Sequence, residues 1–461
     1  MERMAGADAI FLHLEQPDCP VHTLKVAVLD ASARGRPVTL DEVRAAVEPR
    51  LGLVRRSTQR VAWAPGFGGR PFWVDDPAFD LDRHLDERIL ATPEQEALDD
   101  LYGELATRLL PRDRPLWDLT LVHGLPGGRQ AAVVRVHHAV TDGTGVVGAF
   151  TAATGAEQGA PVPECRAPAA APLDRRAMLA EAVAGFGPWA VGLGPLLRDG
   201  VRSARRSRRF RAAAPDLPGG LTAPRTPLNV PSGGQRVCAT ASLPFADLVS
   251  VRRATGTTVN GVFHAVVAGA VRAELLERGG DVTRPTVASF GIAADRGERR
   301  WGNAVTPTNA ALFSNLADPV ERLRETARSC QEAVELRRST GVDMAGRWAE
   351  ASCRLPALFR RVFADSWPRV AGHVVTANVP GSPEPRWVGD VEVAEWWSFA
   401  VAIPPSDVNL TAYSYAGRMN VGLVTTPEAV PEPRRFVARV EASLAELVEV
   451  TSSWRSPRPP G

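Results

Sequence analysis

"RVHHAVTDGTG", residues 135–145, sets two adjacent histidines ahead of an aspartate and two glycines, in a chain with only eight histidines. The run leading into it, "QAAVVRVHH" (130–138), reads as a strand. Strand alternation puts Val134, Val136 and His138 on one face and Arg135 and His137 on the other. His138 therefore extends an apolar face, where partial desolvation keeps an imidazole neutral and able to accept a proton near pH 7. Asp142 follows with Gly143 and Gly145, a set suited to a tight turn whose carboxylate can fix the loop or orient the ring. On the residues alone three readings stand: a general base, a metal site, or a strand end followed by an inert Asp-Gly turn. Adjacent strand histidines point apart and no third one lies near in sequence, which weighs against a metal. For an arbitrary histidine pair the inert turn is the commoner outcome.

Outward from this stretch, 461 residues exceed one ordinary core and imply two folded units. Apolar content of 44% and charged content of 23% are those of a soluble globular chain, and a net charge of +2 gives no drive toward nucleic acid. Lys25 is the single lysine, so the positive charge is almost all arginine. Five scattered cysteines without a CxxC pair point to a reducing compartment. Glu2, Asp8 and Glu15 break any secretory signal pattern, and no run of about 20 uninterrupted apolar residues suggests a transmembrane helix. A cytoplasmic location is the expectation.

Residues 1–150 mix strand signals ("HTLKVAVLD", 22–30; "WDLTLVHGL", 117–125) with helix signals. In "TLDEVRAAVEPRL" (39–51) Thr39 and Glu42 form a capping-box pattern ahead of Val43, Ala46 and Val47. Residues 151–225 read as a linker with some helix: a Pro/Ala-rich run, the Gly/Pro-broken apolar stretch 182–197, and "RDGVRSARRSRRFR" (198–211) with seven arginines and one acid. A second αβ unit spans 226–455. Its clearest helix is 258–280, with Asn260 as a candidate N-cap and Gly279 as the stop. Strands are expected at 391–403, 408–417 and 418–426, a closing amphipathic helix at 431–452, and a disordered tail at 456–461. Of Trp396 and Trp397, one is expected in a core and the other toward a cleft or solvent. A satisfied core position is the expected reading of His264. Two αβ units joined by a linker imply a cleft between them.

"HHAVTDG" (137–143) resembles the HHxxxDG motif of the CoA-dependent acyltransferase superfamily. The flanking segments "RPFWVDDPAFDLDRHL" (70–85), "RPLWDLTLVHGL" (114–125, with Pro115-Leu116-Trp117), "TPLNVPSGGQR" (226–236), "TANVPGS" (376–382) and "VNLTAYSYAGRMNVGLV" (408–424) resemble the wax ester synthase/diacylglycerol acyltransferase family. The resemblance covers about residues 5–450. It implies an α/β (α+β) fold of two chloramphenicol-acetyltransferase-like subdomains with mixed sheets, packed helices and an active-site tunnel at their interface.

It also implies an O-acyltransferase that moves a fatty acyl group from acyl-CoA to diacylglycerol or a long-chain alcohol. His138 would be the general base and Asp142 the structural orienter, with His137 and Gly143 shaping the loop. No metal or cofactor is implied, acyl-CoA being a substrate. The chain departs from the family in two places. Asn260-Gly261 stands where the family has Asn-Asp, leaving Asn260 as a substrate-site candidate that could orient His138 or donate to an oxyanion. Val230 replaces a usual glycine. These departures favour an alternative acceptor, such as a hydroxyl of specialised metabolism. A further alternative is a catalytically weak lipid-binding member. The oily products expected of the family suggest that 182–211 docks on a membrane or lipid-droplet surface.

Overall fold

The computed structural model describes residues 1–452 except 66–68, 219–224, 231–232, 296–300, 355–371 and 405; the expected disordered tail lies outside the described residues. The first half of the chain forms β1 (Glu2–Arg3), α1 (Gly6–Leu14), β2 (His22–Asp30), α2 (Leu40–Val47), β3 (Gln59–Ala62), β4 (Phe72–Asp75), β5 (Leu85–Ile89), α3 (Gln95–Thr107), β6 (Trp117–His123), β7 (Gln130–His137) and α4 (Gly143–Ala153). Next come α5 (Arg175–Ala184) and α6 (Phe186–Ala213). The rest forms β8 (Val237–Pro244), α7 (Phe245–Thr255), α8 (Val259–Glu277), β9 (Thr286–Ala293), β10 (Val305–Leu312), α9 (Pro319–Thr340), α10 (Met344–Ser352), β11 (Val374–Pro380), β12 (Arg386–Val388), β13 (Val391–Phe399), β14 (Asn409–Tyr415), β15 (Arg418–Thr425) and α11 (Pro433–Ser452).

Two six-stranded mixed sheets carry the fold, ordered β12-β13-β2-β7-β6-β5 and β10-β9-β11-β14-β15-β8. Local chemistry sets many of their joints. The Thr39–Glu42 capping box starts α2 as its sequence predicts. Gly127 and Gly128 take positive φ in the β6–β7 turn, and Ala416-Gly417 do so in the β14–β15 hairpin. The core of the second half wraps α8, whose Val262 to Val271 stretch is buried all round between its sheet, α9 and α11.

β13 comes from the second half of the chain yet pairs antiparallel with β2 of the first. The first sheet is covered at its centre on both faces, by α3 with Cys238 and Val424 on one and by α2, α4 and Tyr413 and Tyr415 of β14 on the other. This explains Trp396 and Trp397. They point to opposite faces, but both are buried, Trp396 against Phe150 and Trp397 beside Phe399. Neither faces solvent, because both sides of the sheet are covered at β13.

Two further expectations change. The apolar stretch 182–197 breaks only at Gly185, between α5 and α6; from Phe186 α6 runs on for 28 residues with Pro195 inside. Pro188 lies in its first turn, where an N–H has no helical partner to lose. Packing against α9 and α10, with Trp189 Nε1 donating to Ala351 O, holds the rest against its Gly and Pro content. The α8 cap is Thr258, whose hydroxyl accepts from Gly261 N at 3.0 Å, so Asn260 is free of that duty.

Candidate active site

β7 ends at His137, and the chain turns there: His138 N donates to Val21 O and Val140 N to His137 O. His137 is wholly buried. Its Nδ1 accepts from Ala139 N at 3.0 Å, which puts the ring proton on Nε2, 3.2 Å from Glu15 Oε1. Burial would raise the Glu15 carboxyl, but His137 and Arg112 hold it down to about 2. This histidine braces the loop from within.

His138 is partly buried, its ring stacked on Phe11 of α1 at 4.1 Å. Its Nδ1 lies 2.9 Å from Asn303 Oδ1. The orientation of that amide is fixed, since Asn303 Nδ2 donates to His138 O (2.7 Å) and to Asp8 Oδ1 (3.0 Å). Asn303 therefore offers oxygen to the ring, His138 carries its proton on Nδ1, and Nε2 keeps a lone pair. Asp8 also accepts from Asn303 N at 2.6 Å. A relay Asp8–Asn303–His138 thus joins the opening helix, the segment before β10, and the motif.

Asp142 caps α4 through Oδ1, accepting from Gly145 N at 3.0 Å and Thr144 Oγ1 at 2.9 Å. Its Oδ2 accepts from Ala304 N at 3.0 Å. The carboxylate therefore grips the backbone next to Asn303, and a bridge between Thr141 and Gly302 runs alongside. Gly143 is required by close approach. A Cβ there would sit 2.7 Å from Tyr413 Oη and 3.0 Å from Val379 Cγ2, both on strands of the second sheet. Gly143→Ala is expected to cost about 1–3 kcal/mol, and adding Tyr413→Phe should return part of it. Equal melting temperatures for the single and double variants would refute this contact.

Asn260 sits in the first turn of α8. Its Oδ1 lies 3.5 Å from Asn378 Nδ2, and no hydrogen bond joins it to His138; Asn303 takes the orienting position instead. Gly261 packs tightly, a Cβ there falling 2.8 Å from Ala327 of α9. His264 is a satisfied core residue, bonded to Asn260 O and Thr376 Oγ1. Val230 packs against the core of the second half.

The sequence reading missed Asp8, Phe11, Asn303 and Lys25. Lys25 is buried on β2, donates to Ser398 Oγ at 2.5 Å and lies over the Tyr413 ring. Burial draws its ammonium down to about 7, against the pull of Asp142. Being the single lysine, and lying within a strand, was the one signal it gave.

Burial lowers the His138 imidazole to about 4, with Lys25 and His137 adding to the shift, and lowers His264 to about 4 and His22 to about 3. Unfolded, each takes a proton near pH 6.5. The stability tied to their neutral forms is therefore complete above that pH and is lost as pH falls toward 4, at roughly 1.4 kcal/mol per pH unit per histidine. Calorimetry should show the melting temperature falling steeply between those limits. A flat profile would contradict it.

Among the described residues no three His, Cys, Asp or Glu side chains are grouped to hold a metal ion. The loop joins the two six-stranded sheets: it follows β7 of the first, and Gly143 packs against Tyr413 and Val379 of the second. The family follows from the whole chain. Residues 4–263 match the family model of the wax ester synthase/diacylglycerol acyltransferase catalytic domain, and 301–448 match the C-terminal domain of the same family.

Two Mycobacterium tuberculosis proteins that carry the provisional name diacylglycerol O-acyltransferase are each 30% identical. One match spans 97% of this chain and 96% of the relative, the other 99% of both. The fold is similar to that of the wax ester synthase/diacylglycerol acyltransferase from Marinobacter aquaeolei VT8, with a TM-score of 0.69 and 23% identity over 98% of this chain and 100% of that one. It is also similar to the first condensation domain of the calcium-dependent antibiotic synthetase, with a TM-score of 0.60 and 18% identity over 98% and 96%. The chain belongs to the wax ester synthase/diacylglycerol acyltransferase family and is an acyl-CoA-dependent O-acyltransferase of that type.

Proposed function

We propose that the enzyme transfers a fatty acyl group from acyl-CoA to diacylglycerol or a long-chain alcohol, with His138 as general base. The observation that carries this reading is the His138 Nδ1–Asn303 Oδ1 bond, which leaves the Nε2 lone pair on a ring held by Phe11. Nε2 takes the hydroxyl proton as the oxygen attacks the thioester carbonyl. The tetrahedral adduct collapses, the C–S bond breaks, and the departing CoA thiolate recovers that proton. Asp142 and Gly143 hold the loop, and His137 braces it. Asn260, whose Nδ2 has no hydrogen-bond partner among the described residues, is proposed as a substrate contact. The two substrates would meet in a passage between the sheets. An acceptor screen with palmitoyl-CoA, comparing hexadecanol, diacylglycerol and polar alcohols by free thiol, tests the assignment. Thiol release with polar alcohols alone would replace it.

Gly261 favours that second reading, a hydroxyl acceptor of specialised metabolism. Its contact with Ala327 leaves no space for the acid that the family carries there. A peripheral membrane or lipid-droplet location is proposed for the enzyme on the outer face of α5–α6. Val183, Phe186, Val191, Leu197 and Val201 are exposed there, beside the arginine run. Flotation of a Val191→Asp/Leu197→Asp/Val201→Asp variant tests this, and undiminished vesicle binding would sink it.

A further inference from the structure

A cavity of about 240 Å³ opens between α6, α9 and α10, lined in part by Ser207, Arg211, Leu336, Arg337, Met344 and Trp348. None of these residues touches His138. The Arg337 guanidinium has no hydrogen bond or ion pair among the described residues, and its Nε is buried without a partner. Arg211 spends Nη1 on the carbonyls of Leu217 and Pro218 and Nε on Ser207 Oγ, which leaves Nη2 uncommitted. No carboxylate lies within ion-pair distance of either guanidinium among the described residues. Burial lowers the pKa of both, and Arg211 lowers that of Arg337 further. Two partly buried cations on one cavity without an acid are unfavourable unless an anion joins them.

The chemistry of the lining narrows the ligand. Guanidinium forks match the oxygens of a phosphate, and the Ser207 hydroxyl adds a further polar group beside them. Leu336, Met344 and Trp348 supply an apolar wall next to that charge. We infer that this cavity is a binding site for a phosphate group carried on an apolar body. Two sources share that chemistry, an anionic phospholipid headgroup and a soluble alkyl or aryl phosphate. The inference does not rest on the acyl-transfer reading.

The test compares the full chain with Arg337→Met, which keeps the apolar stem, and Arg337→Lys, which keeps charge without the fork. Arg253→Ala, exposed on α7 and outside the arginine run, is the control. One arm measures equilibrium binding of butyl phosphate. The other measures flotation with phosphatidylglycerol-containing vesicles against pure phosphatidylcholine. Losing a charge-assisted pair should weaken binding roughly ten- to a hundredfold in Arg337→Met, with a smaller loss in Arg337→Lys and none in Arg253→Ala. A loss confined to the first arm assigns a soluble phosphate, and one confined to the second assigns a lipid headgroup. Should the wild type bind neither probe, or folded Arg337→Met and Arg337→Lys both keep wild-type affinity, the site is overturned.

Discussion

His138→Ala should lower kcat for thiol release from acyl-CoA by roughly 10²–10⁴-fold, the contribution of a positioned general base. The ring is partly buried, stacked on Phe11 and bonded to Asn303 on the nitrogen that does not react. Its removal takes away the proton acceptor and little of the packing, so the melting temperature should change far less than the rate. KM for acyl-CoA should hold, because the base acts on the acceptor hydroxyl in the transition state. His137→Ala should behave in the opposite sense. That ring is wholly buried between Glu15 and the Ala139 amide, so its loss should appear first in stability. If His138→Ala retains turnover within tenfold of wild type, the assignment fails.

The second large effect is expected at Asn303. Asn303→Ala should reduce kcat by roughly 10–10²-fold, since the ring loses the acceptor that fixes its tautomer and direction. Asn303 bonds the charged form more strongly than the neutral one, so it raises the His138 pKa against the burial that lowers it. Without it the pKa falls further. The acid limb of kcat/KM should therefore move to lower pH, a readout that simple loosening of the loop would not produce. Asp8→Asn should give a smaller loss of the same kind, because Asp8 reaches the ring only through Asn303. The double variant should be little worse than Asn303→Ala alone, as residues in one chain of contacts are not additive. Full additivity of the two would break the relay.

Much of this was readable from local sequence. Thr39 and Glu42 announced a helix start because a capping box is completed within four residues. Alternation over 130–138 separated His138 from His137 because strand geometry alone decides it. Asn303 left no such trace: it lies 165 residues from His138, in a segment with no motif of its own, and long-range contacts of Gly302, Asn303 and Ala304 with Thr141, Asp8 and Asp142 bring it in. Thr258 and Asn260 are both good caps two residues apart, and which one serves depends on where the first turn closes. The helix through 186–213 was hidden because its Gly and Pro content argues against it, and contacts from α9 and α10 overrule that argument. Trp396 and Trp397 were misplaced because a strand pattern reports two faces and not what covers them.

The insertion of β13 beside β2 has a consequence for biosynthesis. A ribosome delivers β2 about 360 residues before β13. Throughout that interval β2 can pair with β7 on one side while its other edge stays unsatisfied. Such an edge is a template for pairing with a neighbouring nascent chain. Truncation anywhere before residue 391 leaves it permanently open, so half-length fragments should accumulate as insoluble material, not as a separable folded half.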